Sequence, residues 1–321
     1  MHREAAMAVN HRLIALALSL LALCALLMLW QLRAPYGFIL ELRGVKLAAL
    51  VMVGAATGAA TIVFQTLVGN RLLTPGIVGF DALYLFLQAL LVFTLGASVQ
   101  ASLPAGLSFL AETTVMMGVA MLLFGMFLRK GSDDLIKLVL TAVILGVLLR
   151  GLESLVLRLL DPSEFAVVQQ AGVASFGAVE AAQLLPAGLA LAGALAASLW
   201  LAPALDLAAL GRTAARSLGL RHDRLVMQGL ALVAVLVSVS TALVGPVTFL
   251  GLLAASLARA LIPSARHSVL IPASALMGAA ILVLGQYVFE RLLGQQAALS
   301  VVIEFAGGLV FLALVLRRRT A

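Results

Sequence analysis

Charge is scarce in this chain of 321 residues. Asp, Glu, Lys and Arg together make up 11% of it, under half of the roughly one quarter that soluble domains carry. Hydrophobic residues make up 63% and the mean hydropathy is +1.16, which excludes an ordinary soluble domain and points to a polytopic membrane protein. Cysteine occurs once, at Cys24, so an internal disulfide and a Cys-based zinc cluster are both excluded. The dipeptide Gly-Lys is missing, and with it the G-x-x-x-x-G-K-[ST] loop whose backbone cradles nucleotide phosphates. There is no H-E-x-x-H and no G-x-S-x-G, and His2, His11, His222 and His267 are scattered among polar segments. Asp133 and Asp134 are adjacent, but no second acidic cluster accompanies them to hold magnesium. No catalytic residue, metal ligand or bound cofactor is expected of this chain.

What the chain has is long apolar runs. A hydrocarbon core of about 30 Å takes about 20 apolar residues as a helix, and backbone in lipid must satisfy its own hydrogen bonds. Short alternating segments of a barrel are absent. Ten runs fit, at 13–32, 47–68, 77–99, 105–128, 135–158, 183–203, 225–244, 247–262, 268–290 and 298–316. The fold class is therefore an all-α integral membrane bundle forming one domain over 1–321. The eighth run is short, and Gly245-Pro246 parts it from the seventh; fused, the two would leave nine spans. The first run follows Arg12 and lacks a small-x-small cleavage site, so it reads as a retained helix.

Ten spans put both termini on one side. With the termini in the cytoplasm, Arg33, Arg43, Lys46, Arg150, Arg158 and Arg291 lie outside and the other 15 of the 21 basic residues lie inside, as the positive-inside rule requires. The net charge of +7 is thus a property of loops, and no nucleic-acid partner is expected. The same topology places a polar island inside. This is segment 205–224, LDLAALGRTAARSLGLRHDR, which carries Arg212, Arg216, Arg221 and Arg224 with Asp206, His222 and Asp223. Helix formers over 208–218, with Asp206 as N-cap and Gly219 as stop, predict a short helix, a glycine turn and a second helix. A basic knob and an ordinary positive surface loop fit this stretch equally well.

Several residues stand out in and beside the spans. Arg150 and Glu153 share a helix face at i and i+3, about 20 Å along the helix from Lys137; they line a watery path or form a local pair that snorkels outward. Glu112, Glu304 and Asp81 fall near span ends and read as snorkelling charges too. Arg43 and Lys46, in ELRGVKL, are interfacial anchors or a docking point for an acidic soluble partner. Gly54 and Gly58 form a small-xxx-small pair for close helix approach. The breaks at 69–76 and at Gly245-Pro246 fall in the two halves of the chain, as internal repeats of transporters do. Segment 161–183 is too polar to cross and predicts a short surface helix.

The island also has a family likeness. Leu210-Gly211, then Ala215, Arg216, Ser217, Leu218, Gly219 and Leu220, resembles the L-G-x-x-x-A-R-x-L-G-hydrophobic stretch of FecCD-type iron-chelate permeases, the type II ABC importers that include the vitamin B12 permease. Gln65 followed by Asn70, Leu72, Pro75, Gly76 and Gly79 is similar to that family's Q-x4-N-P-L-x-x-P-G-x-x-G, with Arg71 for the first proline and Thr74 for the usual acidic or small residue. Arg43-x-x-Lys46 is similar to its R-x-P-R. Gly245 to Leu252, GPVTFLGL, resembles G-x-I-x-F-V-G-L, though Ala255-Ser256 replace the usual Pro-His pair. EFAGGLVF, 304–311, takes the place of a G-x-P-x-F-like segment. The departures, with LTPGIVGFDALY, look like the branch that imports catechol siderophores.

The resemblance implies a permease subunit, in the bacterial inner membrane, of an importer for a ferric siderophore. Its partners would be cytoplasmic ABC ATPases that bind ATP and Mg, a second permease, identical or paralogous, and a periplasmic or lipid-anchored binding protein. The ATPases would grip Leu210, Gly211, Ala215, Arg216, Ser217, Leu218 and Gly219; the binding protein would dock on Arg43, Lys46 and Arg291. Gly131, Ser132 and Asp133 fall where the family has a cytoplasmic gate. The alternatives are a haem or cobalamin-like cargo, or an ion-coupled secondary transporter using Arg150, Glu153 or Glu112.

Overall fold

The computed structural model describes residues 2–32, 34–129, 135–291 and 299–318. Fourteen helices follow one another: α1 (His2–Leu29), α2 (Tyr36–Val68), α3 (Asp81–Leu95), α4 (Ala97–Ser102), α5 (Ala105–Arg129), α6 (Leu135–Leu157), α7 (Pro162–Ala171), α8 (Ala181–Trp200), α9 (Ala202–Ala208), α10 (Arg212–Ser217), α11 (His222–Val244), α12 (Leu250–Leu261), α13 (His267–Arg291) and α14 (Leu299–Arg318). Gly76–Phe80 forms a π-helical turn entering α3. No strand occurs among the described residues. Eight helices have the length and apolar composition to cross a membrane, and α12 and α14 supply two shorter apolar helices. These ten match the ten predicted segments. Residues 245–249 break the helix between α11 and α12, so the seventh and eighth segments are separate. With 12 residues, α12 is about 18 Å long, too short to traverse the hydrocarbon core alone.

Helix α2 is the central post. It packs against α13, α11, α12 and α8, and two thirds of its most apolar stretch is buried inside the chain. The small residues explain how. A Cβ on Gly54 would sit 2.5 Å from the backbone nitrogen of Ala279, and one on Gly58 would overlap the carbonyl oxygen of Ser274. Ser274 Oγ donates to the Gly58 carbonyl at 2.8 Å. Van der Waals contact and such cross-helix bonds, not hydrophobic exclusion, drive helix association in lipid. Helix α6 is the opposite case, with only 6% of its span buried and Ile144, Val147, Leu148 and Leu155 exposed.

The two chain breaks meet inside the bundle. Thr248 Oγ1, from the break after α11, donates to Asp81 Oδ2, at the π-turn's end, at 2.7 Å. Asp81 is 8% exposed and Gly76 leaves the room it occupies, since a Cβ there would lie 2.6 Å from Asp81 Oδ2. Gly79, at φ 123°, lies against Gly146 of α6. Asp81 is thus a buried, bonded carboxylate and not a snorkelling one. The segment 161–183 forms α7 after Asp161 and then runs irregularly, with Ser175 N donating to Val244 O at 2.8 Å. Helix α7 is not purely a surface helix: Val168 is buried, packed with Ala89 and Val92 of α3.

Candidate functional site

The island folds as a knob between α9 and α11. Its helix is shorter than predicted. Gly211, at φ 95°, interrupts 208–218, so the knob's own helix is α10, only six residues long. The stop is where the sequence put it: Gly219 takes φ 83°, Gly219 N donates to Arg216 O and Leu220 N to Ala215 O, both at 3.0 Å. This is a glycine-terminated helix end, whose left-handed residue satisfies the last carbonyls. Asp223, at the start of α11, accepts from Arg216 Nη2 at 2.9 Å and from Arg212 Nη2 at 3.3 Å, closing the knob on itself.

Leu210 and Leu218 are 61% and 60% exposed, while Ala215 between them is fully buried. Two large apolar side chains thus flank a knob whose small residue packs inward. His222 is buried, with no hydrogen-bond partner on either ring nitrogen. An open hollow of about 900 Å³ lies beside the knob, lined by Gln65, Arg71, Asp206, Leu210, Arg259 and Arg266 among others. Its rim carries three guanidinium groups.

Asp206 does not cap the knob helix. Its Oδ1 accepts from the backbone N of His267 at 2.7 Å and from the ring Nδ1 at 2.6 Å, capping the start of α13 instead. His267 Nε2 lies 2.7 Å from Thr66 Oγ1 on α2. The next residue, Gln65, donates to the Arg71 carbonyl and accepts from Arg259 Nη1, both at 2.6 Å. Sequence reasoning assigned no role to Thr66, His267 or Arg259. The available signal was that a neutral amide, a hydroxyl and an imidazole stand at the ends of otherwise apolar runs, where buried polar groups need partners.

Arg43, Lys46 and Arg291 gather at the end of the bundle opposite the knob, where α2 starts and α13 ends. All three are engaged within the chain. Arg43 Nη1 donates to the carbonyls of Met28 and Trp30 at 2.8 and 2.9 Å, satisfying the end of α1. Lys46 Nζ pairs with Glu290 Oε1 at 2.7 Å, and Gln286 donates to the same oxygen at 2.8 Å. Arg291 Nη1 reaches Gln31 Oε1 at 3.4 Å. On α6, Arg150 is exposed and Glu153 half-buried, on the helix with the least burial in the bundle. Gly131, Ser132 and Asp133 lie outside the described residues. No group of three His, Cys, Asp or Glu able to hold a metal occurs among the described residues.

Comparison with known proteins gives one consistent result. The FecCD transport family matches residues 8–317. A petrobactin import system permease protein of Bacillus subtilis (strain 168) is 36% identical over 96% of this chain and 98% of its own length. The ferric enterobactin transport system permease protein of Escherichia coli (strain K12) is 31% identical over 88% of this chain and 82% of its own. A solved structure described as an inward-facing metal-chelate type ABC transporter superposes with a TM-score of 0.83 at 23% identity, covering 96% of this chain and 99% of that one.

Proposed function

Because the chain belongs to the FecCD transport family, we propose that it is the membrane-spanning subunit of an ABC importer that carries a ferric siderophore across the bacterial inner membrane. The observation that carries this reading is the knob: a six-residue helix set by two positive-φ glycines, presenting Leu210 and Leu218 to an outside surface. Exposed leucines on a glycine-set turn braced by Arg216–Asp223, in a polar segment outside the spans, offer a surface for a protein partner. The chain has no phosphate-binding loop, so the energy comes from ATPase subunits held at that knob. The relatives' cargoes, petrobactin and enterobactin, are siderophores, which favours this class over haem or cobalamin.

The mechanism is alternating access driven from outside the chain. ATP binding draws the two ATPases together, and each knob moves with its ATPase. That movement reaches the broken segments beside α2 and changes which end of the path is open. A second permease completes the path along the sparsely buried α6. Both termini and the knob are cytoplasmic, and a binding protein delivers cargo at the opposite end, near Arg43, Lys46 and Arg291. Those three side chains already hold α1, α2 and α13 together, so docking there also presses on helix positions.

The test is uptake of radio-iron-loaded petrobactin into vesicles holding the assembled complex. Uptake should require ATP and survive a protonophore. Uptake that collapses with the proton gradient and ignores ATP would replace this reading with an ion-coupled secondary transporter.

A further inference from the structure

We propose that His267 is the positioning residue that makes the knob and segment 69–76 move as one body. The proposal rests on the knob being the ATPase contact. The imidazole stands where three elements meet. It is the first residue of α13, 3% exposed, with Asp206 of α9 on Nδ1 and Thr66 of α2's last turn on Nε2. Asp206 also takes the His267 backbone N–H, so α9 is clamped to α13 at two points. A carboxylate only accepts, so Nδ1 carries its hydrogen toward Asp206. Thr66 Oγ1 also lies 2.9 Å from the Ile62 carbonyl, so its single hydrogen is shared between that oxygen and Nε2.

The neighbouring Gln65 extends the link. Its amide holds the Arg71 carbonyl on one side and the Arg259 guanidinium on the other. Segment 69–76 therefore hangs from the same turn of α2 that His267 grips. Its far end delivers Pro75 and Gly76 to the small cavity beside Asp81 and Thr248, where the two chain breaks meet. Short polar contacts thus run from α9 through the imidazole to the end of α2 and on from Gln65 to the broken segment, with the knob joined to α9 along the chain.

The physical reason to place the load on these contacts is directionality. Helix α10 packs mainly on α9 and α11. Besides half-buried Asp206, the residues of α9 buried against the bundle, Ala202, Leu205 and Ala208, are apolar. Apolar contacts are non-directional and let one helix slide over another. Hydrogen bonds of 2.6 to 2.7 Å fail once donor and acceptor part by about 1 Å or misalign. A displacement of α9 thus drags α13 and α2 with it through the imidazole, instead of slipping past them.

The experiment uses the whole complex in lipid, with Cys24→Ser as background and spin labels at Thr213→Cys, exposed on α10, and Arg71→Cys. A label pair on the two permeases' knobs reports separately whether ATP moves the knob at all. With Thr66 and His267 intact, ATP should change the knob-to-knob distance and leave the 213-to-71 distance unchanged. In Thr66→Val, which removes the hydroxyl and keeps the shape, and in His267→Asn, the 213-to-71 distance should change with ATP. His267→Gln, whose amide reaches toward Thr66, should restore part of the fixed distance. ATP-driven turnover of binding-protein-loaded complex should fall about 10-fold in Thr66→Val, the value of one buried hydrogen bond, while ATPase co-purification is retained. A constant 213-to-71 distance in both variants overturns the proposal. So does loss of assembly in Thr66→Val, which would make the link merely structural. A knob-to-knob distance that ignores ATP with the wild-type link overturns the docking reading instead, so the two failures are told apart.

Discussion

Replacing Gly219 isolates the knob's geometry from everything around it. Its φ of 83° lies in the left-handed region, and nothing lies within 4 Å of where a Cβ would be. Alanine there meets no clash, so its whole cost is backbone: about 1–2 kcal/mol for an L-residue held left-handed. Relief comes by unwinding the turn, which breaks the Leu220 N to Ala215 O bond and the Gly219 N to Arg216 O bond. Leu218, one residue before, then leaves its exposed position on the proposed contact. With each 1.4 kcal/mol worth tenfold, Gly219→Ala should weaken ATPase affinity roughly 5- to 30-fold. Asn visits this region more readily than Ala, so Gly219→Asn should recover most of the loss. The assay is titration of labelled ATPase onto the permease in nanodiscs, with thermal stability of the permease alone as control. Equal affinity in the wild-type, Ala and Asn forms refutes the contact. A loss that follows side-chain size, with Asn worse than Ala, refutes the backbone argument.

Two further outcomes concern the bundle. Gly58→Leu should destabilise by roughly 3 kcal/mol or more, since its Cβ meets the backbone of Ser274 and backbone cannot step aside as a side chain can; the thermal midpoint of the purified protein checks it, and an unchanged midpoint contradicts the α2–α13 packing. Asp81→Ala should cost about 1–3 kcal/mol by leaving Thr248 Oγ1 without its acceptor, and Asp81→Asn less, because an amide oxygen still accepts; equal midpoints for both would remove Asp81 from the link between the breaks.

Existence and order of the helices were legible because lipid leaves the backbone one solution: ten apolar runs became ten apolar helices. Gly219 was legible for a local reason, a helix that needs a left-handed stop. Gly211 escaped because its flanks, LAAL and RTAARS, are strong helix formers, and a glycine inside such a run reads as a tolerated weakness until its φ is known. Asp206 was assigned to the wrong helix for a related reason. Capping rules look three residues ahead along the chain, and its partner, His267, is 61 residues away. The pairing of Asp81 with Thr248 was half-visible as two Gly/Pro breaks, but neither break names a partner for the other.

Cargo is harder to read than force for a physical reason visible in these particular helices. A segment that meets a soluble partner must leave lipid, so the contact proposed for Leu205 to Arg224 stands out as a polar stretch in an apolar chain. A path wall stays among the spans and uses the same residues as lipid-facing and helix-facing surfaces. On α6, Ile144, Val147, Leu148 and Leu155 are all exposed in the single chain, and nothing in their chemistry separates a lipid-facing side chain from one that would face a protein neighbour. Thr66, Gln65, Asp81, Thr248 and His267 do break this uniformity, and each bonds another protein atom, so in this chain they act on helix positions.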